Sequence, residues 1–321
     1  MATLLIIGGS GFFGKSILDM FQRDKLVSYN LDKVTIMSRN AKRLKIEAPE
    51  LVKGNVELIE SDITTTNYLP EADYVIHAAA STDARNYLIA GERERRNIQA
   101  GTLNYCRLVK SNRNTKTLYV SSGAVYGTQP RKIRQIKESY QFRDPNDIPE
   151  GKRDYAIAKR DSEELIKELG NEGFSVSIAR CFAFIGPWLP LDQHFAIGNF
   201  IRDGLLNEFI EVNAAQSVHR SYMYADVLVE WLLKIVDHSS NSCPIYNVGS
   251  DQSISIDELA QKIGNYFSKD VKFNHLIERR EDLYVPCIEK AKRELNLQNK
   301  INLDEAISKT VKLLRMYNQN V

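Results

Sequence analysis

The sequence predicts an α/β fold in which a doubly wound parallel sheet is followed by a smaller C-terminal region. Over the first 180 residues, short and wholly apolar runs alternate with segments of helical spacing. Strands covered on both faces consist of such runs, and the intervening helices let them lie parallel. The regularity weakens after Arg180. We therefore expect residues 1–180 to form the sheet domain, residues 181–321 mainly to form a second region, and part of 214–249 to rejoin the sheet.

The predicted strands are six apolar runs, separated by helical or polar stretches. The runs are Leu4–Ile7, Val34–Met37, Val56–Ile59, Tyr74–Ala78, Leu118–Ser121 and Val176–Cys181. Helical spacing follows the first run over Ser16–Phe21 and returns later at Ala196–Leu206, Ala225–Val236 and Ile256–Phe267.

Composition excludes several kinds of partner. The chain has 43 lysines and arginines against 41 aspartates and glutamates, so its net charge of +2 predicts no strong attraction to nucleic acid. No apolar run approaches the roughly 20 residues that span a bilayer, and the first residues lack the basic start of a signal peptide. The cysteines are scattered and the histidines show no i,i+4 pairing, which argues against a disulfide framework and a metal site. We expect a cytoplasmic protein with no membrane or metal partner.

Three glycines follow the first predicted strand. Gly8, Gly11 and Gly14 stand just before the first predicted helix. At such a turn the free N–H groups and the positive end of the helix dipole can face a pyrophosphate, and glycines let the backbone approach it. The pattern predicts a Rossmann-type cofactor domain, with a purely structural strand–helix turn as the alternative.

The end of the second strand indicates which dinucleotide is bound. NAD-selective folds place an acidic residue there to bind the ribose 2′-hydroxyl. This chain instead has Ser38 and Arg39, which can bind a 2′-phosphate. We therefore expect NADP(H), with NAD(H) possible. Asp62, after the third run, is expected near the adenine. The alternatives are a surface arginine at 39 and a loop-capping aspartate at 62.

A tyrosine and a lysine that share a helix face predict the chemistry. Tyr155 and Lys159 are four residues apart, just over one helical turn. A nearby cation favours the phenolate, so Tyr155 can exchange a proton near neutral pH, and Ser122 can hydrogen-bond the same substrate oxygen. The spacing alone is weakly specific. Its value comes from its position after the glycine turn and the Ser122 segment.

Taken together, these segments resemble the extended short-chain dehydrogenase/reductase family of nucleotide-sugar epimerases, dehydratases and reductases. The similarity runs over nearly the whole chain. It covers Gly8-x-x-Gly11-x-x-Gly14, Asp62-Ile63, His77-Ala78-Ala79, Asn97 to Thr102, Ser121-Ser122, Tyr126-Gly127, Tyr155-x-x-x-Lys159, Arg180, Gly186-Pro187, Arg220-Ser221-Tyr222, Asp226-Val227 and Tyr246 to Gly249.

The resemblance implies catalysis by Ser122, Tyr155 and Lys159, with a C-terminal region that binds a nucleoside diphosphate sugar. With the residues argued above, it gives these cofactor contacts: Gly8, Gly11, Phe12, Phe13, Gly14, Ser38, Arg39, Asp62, Ile63, Ala78, Ala79, Asn97, Tyr155 and Lys159. The implied substrate contacts are Thr82, Ser122, Gly123, Arg220 and Tyr222, with Arg220 at the diphosphate.

Departures from the family pattern argue against some of the reactions that the resemblance implies. The 4,6-dehydratases carry an Asp-Glu pair where this chain has Gly123 and Ala124, and decarboxylases usually keep the glutamate. Neither residue can transfer a proton, which argues against both reactions. Ala183 replaces a common asparagine, and the usual Gly-Trp-Pro is absent after Leu295.

Two reactions and one binding role remain open. We expect an NADPH-dependent reductase of a dTDP-linked 4-keto-6-deoxyhexose, as in bacterial lipopolysaccharide O-antigen synthesis. The alternative enzyme is a UDP-hexose 4-epimerase with tightly bound NAD. The alternative of another class is a non-catalytic cofactor-sensing module, which the presence of all three catalytic residues disfavours.

Two predicted helices suggest a homodimer. The segments Asn97–Lys110 and Tyr155–Leu169 carry apolar residues on more than one face. The family resemblance implies that these helices pair across a two-fold axis. Packing against the chain's own sheet is the alternative. The apolar residues concerned are Leu103, Leu108, Val109, Ile157, Leu165, Ile166 and Leu169.

Overall fold

The computed structural model describes residues 2–81, 84–213, 216–274 and 278–317. The chain divides into two compact units, each built from three segments. The first unit comprises Met1–Gly127, Phe142–Cys181 and Val229–Tyr246, and the second comprises Thr128–Gln141, Phe182–Leu228 and Asn247–Val321.

Strands and helices largely alternate along the first half of the chain, although residues 61–73, between the third and fourth strands, form turns and coil instead of a helix. The strands are β1 (Ala2–Ile7), β2 (Leu31–Ser38), β3 (Val56–Glu60), β4 (Tyr74–His77), β5 (Lys116–Ser122), β6 (Val176–Cys181), β7 (Phe184–Ile185), β8 (Phe209–Val212), β9 (Gln216–Arg220), β10 (Met223–Tyr224), β11 (Ile245–Val248), β12 (Ile254–Ser255), β13 (Asp270–Phe273) and β14 (Glu278–Tyr284). The helices are α1 (Phe12–Gln22), α2 (Leu44–Glu47), α3 (Ala84–Leu108), α4 (Glu150–Asn171), α5 (Ala196–Leu206), α6 (Ala225–Asp237), α7 (Ile256–Phe267), α8 (Glu289–Leu295) and α9 (Leu303–Tyr317).

A seven-stranded parallel sheet forms the centre of the fold, in the order β11-β6-β5-β4-β1-β2-β3. The chain winds outward from β1 in both directions, because β1 pairs with β2 on one side and with β4 on the other. In sheets of this kind, ligands bind outside the carboxyl ends of the strands where the winding reverses. The predicted Rossmann-type doubly wound sheet is confirmed.

Burial explains why the apolar runs became central strands. Leu5 and Ile6 of β1 are fully buried, and every residue of β6 is buried. Around them, Ile17 and Leu18 of α1 are also fully buried. Helices therefore cover a sheet whose inner strands have little solvent contact, which is the arrangement that continuous apolar strands require, while the edge strand β3 has no buried residue.

The second unit contains small sheets and helices. Strand β9 pairs with β12 and β14, β8 pairs with β13, and β7 pairs with β10. Helix α7 begins at a capping box, in which the Ser255 hydroxyl accepts from the Glu258 N–H and the Glu258 carboxylate accepts from the Ser255 N–H. Among the described residues, no helix is both long and apolar enough to cross a membrane.

Helices α3 and α4 pack against each other in the first unit. Val109, Ile166 and Leu169 are buried in a core cluster with residues of the sheet. Leu103 of α3, in contrast, is 58% exposed. Leu108, Ile157 and Leu165 are half-buried. Part of the apolar surface of this helix pair therefore remains accessible to a partner.

Candidate active site

The β1–α1 turn places a helix N-terminus at the carboxyl edge of the sheet. Gly11 is the N-cap of α1, and no side chain caps this end. Gly8 has a φ of +82°, and a Cβ there would lie only 2.5 Å from the Cα of Ala79. A Cβ on Gly14 would collide with the Gly9 carbonyl oxygen. The N-terminus of α1 at this glycine turn can therefore face a pyrophosphate.

The Ser38 hydroxyl at the end of β2 also fits a dinucleotide. Its oxygen is shielded from solvent and has no hydrogen-bond partner within the described part of the chain. A buried polar atom without a partner is costly, so this oxygen suits a ligand group. Arg39 beside it is exposed and forms no ion pair with any described residue, whereas Lys42 contacts Glu60. The serine and arginine are therefore available to a ribose phosphate.

Asp62 has a structural role in the turn that follows β3. Its Oδ1 accepts hydrogen bonds from the N–H and the hydroxyl of Thr64, at 2.9 and 2.8 Å. This is the loop-capping contact that the sequence left as an alternative, and the adenine contact stays a prediction. Ile63 is buried in the core, and Asn97 is exposed on α3. Their cofactor contacts also stay predictions.

Ser122 is the last residue of β5, so its side chain lies at the same edge of the sheet as the glycine turn. It is 8% exposed. Its hydroxyl oxygen accepts from the Ala124 N–H at 3.1 Å, which begins a short 3₁₀ turn over Gly123–Tyr126. Helix α4, which carries Tyr155 and Lys159, packs against both β5 and this turn. The strand end that bears Ser122 and the helix that bears Tyr155 and Lys159 are therefore packed together.

Tyr155 is half-buried on α4 and contacts a second tyrosine. The ring of Tyr87 on α3 meets it edge-on, with centroids 5.3 Å apart. The Tyr87 hydroxyl donates to the Ser81 carbonyl oxygen at 2.8 Å, which holds that ring in place. Tyr155 is therefore oriented by a neighbour that sequence reasoning did not identify, because α3 and α4 meet only in the folded chain.

Lys159 is buried behind Tyr155. Its ammonium donates to the Val120 carbonyl oxygen at 2.8 Å and to the Tyr119 hydroxyl at 3.3 Å, and it lies 5.9 Å from the Tyr155 ring centroid. Burial lowers the pKa of Lys159, while Tyr155 opposes that shift. Burial, followed by the charge of Lys159, lowers the pKa of His77 to about 3, so that imidazole is neutral. The cation beside Tyr155 is therefore supplied by Lys159 and not by His77.

The residues after Ser122 offer no proton to a substrate. Gly123 is buried and has no side chain, and Ala124 is half-buried with only a methyl group. An elimination requires an ionisable group that removes a proton from the reacting carbon. Gly123 and Ala124 carry no such group, so these positions cannot contribute to an elimination.

The predicted substrate residues Arg220 and Tyr222 differ in their surroundings. Arg220, in the second unit, already holds a carboxylate, because its Nη2 is 2.8 Å from the Asp282 Oδ2. Its Nη1 donates to the carbonyl oxygens of His219 and Asp282. Tyr222 is buried, which raises its pKa above the usual value. Thr82 lies outside the described residues.

Residues 4–249 match the NAD dependent epimerase/dehydratase family. The chain belongs to this family. Membership confirms the resemblance to nucleotide-sugar epimerases and dehydratases, and it makes the protein an enzyme of an NAD-dependent family. Among curated relatives, UDP-glucuronic acid decarboxylase 1 of Xenopus tropicalis is 28% identical over 97% of this chain and 72% of its own length. UDP-glucuronic acid decarboxylase 6 of Arabidopsis thaliana is 28% identical over 95% of this chain and 86% of its own.

Solved structures of this family share the fold. A UDP-glucose 4-epimerase from Thermotoga maritima superposes with a TM-score of 0.81 at 21% identity, covering 98% of this chain and 99% of its own. DesIV, a dTDP-glucose 4,6-dehydratase from Streptomyces venezuelae with NAD bound, gives 0.82 at 18% identity, covering 99% and 98%. At these identities the likeness establishes the fold alone.

Proposed function

We propose that the protein is an NADP(H)-dependent reductase of a nucleotide-linked 4-keto-6-deoxyhexose. The observation that carries the proposal is the combination of Ser122, Tyr155 and Lys159 with the inert pair Gly123-Ala124. The three residues can move a proton to or from a sugar oxygen. The inert pair gives no acid or base for chemistry at a neighbouring carbon. This combination supports reduction or oxidation at one carbon and disfavours elimination.

Each residue has a separate task. The Tyr155 hydroxyl protonates the sugar oxygen as the carbonyl is reduced, and the Ser122 hydroxyl donates a hydrogen bond to the same oxygen. The Lys159 ammonium stabilises the phenolate that remains. When bound, the nicotinamide supplies the hydride. Arg220 and Tyr222 of the second unit are proposed to bind the diphosphate sugar.

The cofactor preference rests on Ser38 and Arg39. The family is NAD-dependent, and a carboxylate at the end of β2 would favour NAD by repelling a 2′-phosphate. Here the Ser38 hydroxyl, which has no hydrogen-bond partner among the described residues, and the Arg39 side chain, which forms no ion pair with any of them, favour NADP(H) instead. NAD(H) remains possible, since neither residue prevents a 2′-hydroxyl from binding.

A UDP-hexose 4-epimerase with bound NAD is the second candidate. The same three residues suffice, because epimerisation removes and returns one hydride at a single carbon. The match to an epimerase/dehydratase family favours it. The curated relatives also bring UDP-glucuronic acid into consideration as a substrate, although Ala124 counts against decarboxylation.

A substrate panel separates these reactions. We would incubate the purified protein with NADPH or NAD and with dTDP-4-keto-6-deoxyglucose, UDP-glucose, UDP-galactose or UDP-glucuronic acid. Product mass and cofactor absorbance would then be followed. A gain of two mass units with stoichiometric NADPH loss is expected for the first sugar. Interconversion of the two UDP-hexoses without net cofactor change would establish the epimerase. Loss of carbon dioxide from UDP-glucuronic acid would establish the decarboxylase. Cofactor binding without turnover of any sugar would support the sensing module.

Charge reversal at Arg39 should change cofactor selectivity. Arg39→Asp replaces an attractive contact to the 2′-phosphate with repulsion, so NADPH should bind roughly 10- to 100-fold more weakly while NADH affinity changes little. Fluorescence titration of both cofactors measures this. Arg43→Asp is the matched control, because Arg43 is an exposed neighbour already paired with Glu47. Equal or tighter binding of NADH by the unaltered protein would refute the NADP(H) preference.

We also propose a homodimer through α3 and α4. Leu103→Lys places a charge on the 58% exposed position of α3 and should shift the protein towards monomer. Light scattering at micromolar concentration measures the mass. Leu206→Lys is the matched control, since Leu206 is a 64% exposed leucine of α5 in the other unit. A monomeric mass for the unaltered protein would rule out this assembly.

A further inference from the structure

A buried ion pair lies beside the candidate catalytic residues and has no assigned task. Glu163 of α4 is fully buried, and Arg180 of β6 is 3% exposed. Two guanidinium nitrogens contact the carboxylate, with the Arg180 Nε 3.0 Å from Oε1 and Nη2 2.7 Å from Oε2. The guanidinium also lies 4.9 Å from the ring centroids of both Tyr126 and Phe142. The pair is therefore rigidly held by two hydrogen bonds and two rings.

The pair joins the segments that carry the catalytic side chains. The Ser121 hydroxyl donates to the Glu163 Oε1 at 2.5 Å, and Ser121 directly precedes Ser122. Glu163 itself stands one helical turn after Lys159. On the far side, the Arg180 Nη1 donates to the Tyr126 hydroxyl at 2.9 Å, at the end of the turn that begins after Ser122. One carboxylate thus ties the strand end that bears Ser122 to the helix that bears Lys159.

Stability alone does not account for this arrangement. Burying two charges carries a desolvation penalty, and apolar residues of similar volume are often equally stable or more so in such positions. A hydrogen-bonded pair differs from an apolar one in its directionality, because it admits few relative positions of the groups that it joins. Directionality matters most where two catalytic groups must be held in register, since a displacement of about 1 Å can cost ~10²-fold in rate.

We propose that Glu163 and Arg180 are positioning residues, which hold the Ser122 strand end in register with the Tyr155–Lys159 face of α4. They contact neither substrate nor cofactor in this role. The inference rests on the proposed function of Ser122, Tyr155 and Lys159, but not on the identity of the sugar. It predicts that the protein still folds when the pair is removed, but that its turnover falls.

The main test is the double variant Glu163→Leu/Arg180→Met, assayed with the best substrate of the panel. We expect a melting temperature at or above that of the unaltered protein, kcat lower by ~10²-fold, and KM and cofactor Kd within about twofold, because the binding residues are untouched. An unchanged kcat in the folded variant would overturn the proposal. If Tyr155→Phe also kept full activity, the proposed chemistry itself would be wrong. If only Tyr155→Phe were inactive, the positioning role alone would fail.

A milder variant covers the case in which the double variant does not fold. Ser121→Ala removes only the hydrogen bond from the Ser122 strand to Glu163, and we expect kcat to fall ~10-fold with KM unchanged. Its control is Ser177→Ala on β6, which removes a buried hydrogen bond to the Ser239 hydroxyl at 2.8 Å, away from the site. That control should lower the melting temperature and leave kcat intact. Wild-type kcat in Ser121→Ala, or an equal loss in both variants, would overturn the positioning role.

Discussion

Replacing Tyr155 with phenylalanine should lower turnover by ~10²–10⁴-fold, the usual scale for losing a general acid. The ring and its edge-on contact with Tyr87 remain, so only the proton donor is lost. Cofactor affinity should stay nearly unchanged. Steady-state kinetics on the best sugar, combined with a fluorescence titration of NADPH, measures both quantities.

A double variant tests whether the catalytic residues act as a unit. Ser122→Ala combined with Tyr155→Phe should lose less than the product of the two single losses, because both groups serve the same oxygen. Strict multiplication would show that they act independently. A fully active Tyr155→Phe protein would remove Tyr155 from the role of acid.

Replacing Lys159 with methionine should nearly abolish turnover and raise thermal stability at the same time. Methionine keeps most of the length of the side chain but removes the ammonium that supports Tyr155 and that the family resemblance implies as a cofactor contact. Turnover should fall by at least ~10², and NADPH should bind more weakly. Stability should rise because burial makes the charged form of Lys159 unfavourable in the folded state. Lys167→Met, at an ion-paired lysine further along α4, is the control.

The lowered pKa of Lys159 determines whether the stability of the folded protein rises or falls with pH. Lys159 keeps its proton to higher pH in the unfolded chain than in the folded chain. Between the two pKa values the unfolded state therefore binds more protons, and the stability of the folded protein rises with pH. Below the folded-state pKa the full penalty is present. The stability advantage of Lys159→Met should therefore be largest below the folded-state pKa and shrink as the pH approaches the ordinary lysine value. A constant advantage in thermal melts from neutral to alkaline pH would contradict this account.

The inner strands of the central sheet could be predicted because they are buried on both faces. A run such as Leu4–Ile7 has no polar residue to place elsewhere, so its position follows from hydrophobicity alone. The second unit was harder. Strand β14 spans Glu278–Tyr284 and is rich in charged residues, so no apolar run marks it. The segment Thr128–Gln141 belongs to the second unit although it lies between two segments of the first, and its composition gives no sign of that.

The candidate site also combines residues that the sequence indicates with residues that it does not. Ser122, Tyr155 and Lys159 could be proposed from the sequence because the glycine turn, the strand end at Ser122 and a spacing of one helical turn occur together in it. Glu163 carried a usable signal, since it continues the Lys159 face by four residues. The Asp282 partner of Arg220 lies 62 residues away along the chain and carried none. Such contacts depend on tertiary packing, which residue spacing does not encode.

The ion pair between Arg220 and Asp282 has a consequence for molecular recognition. A phosphate that takes the place of the Asp282 carboxylate on the Arg220 guanidinium exchanges one anion for another. The carboxylate belongs to the same chain, so it competes at a high effective concentration that no dilution removes. A nucleoside without phosphates cannot make this exchange, whereas a diphosphate brings more charge and more acceptor oxygens than the group it displaces. The Asp282 carboxylate is therefore an internal competitor for any anion that binds at the Arg220 guanidinium, as proposed for the diphosphate.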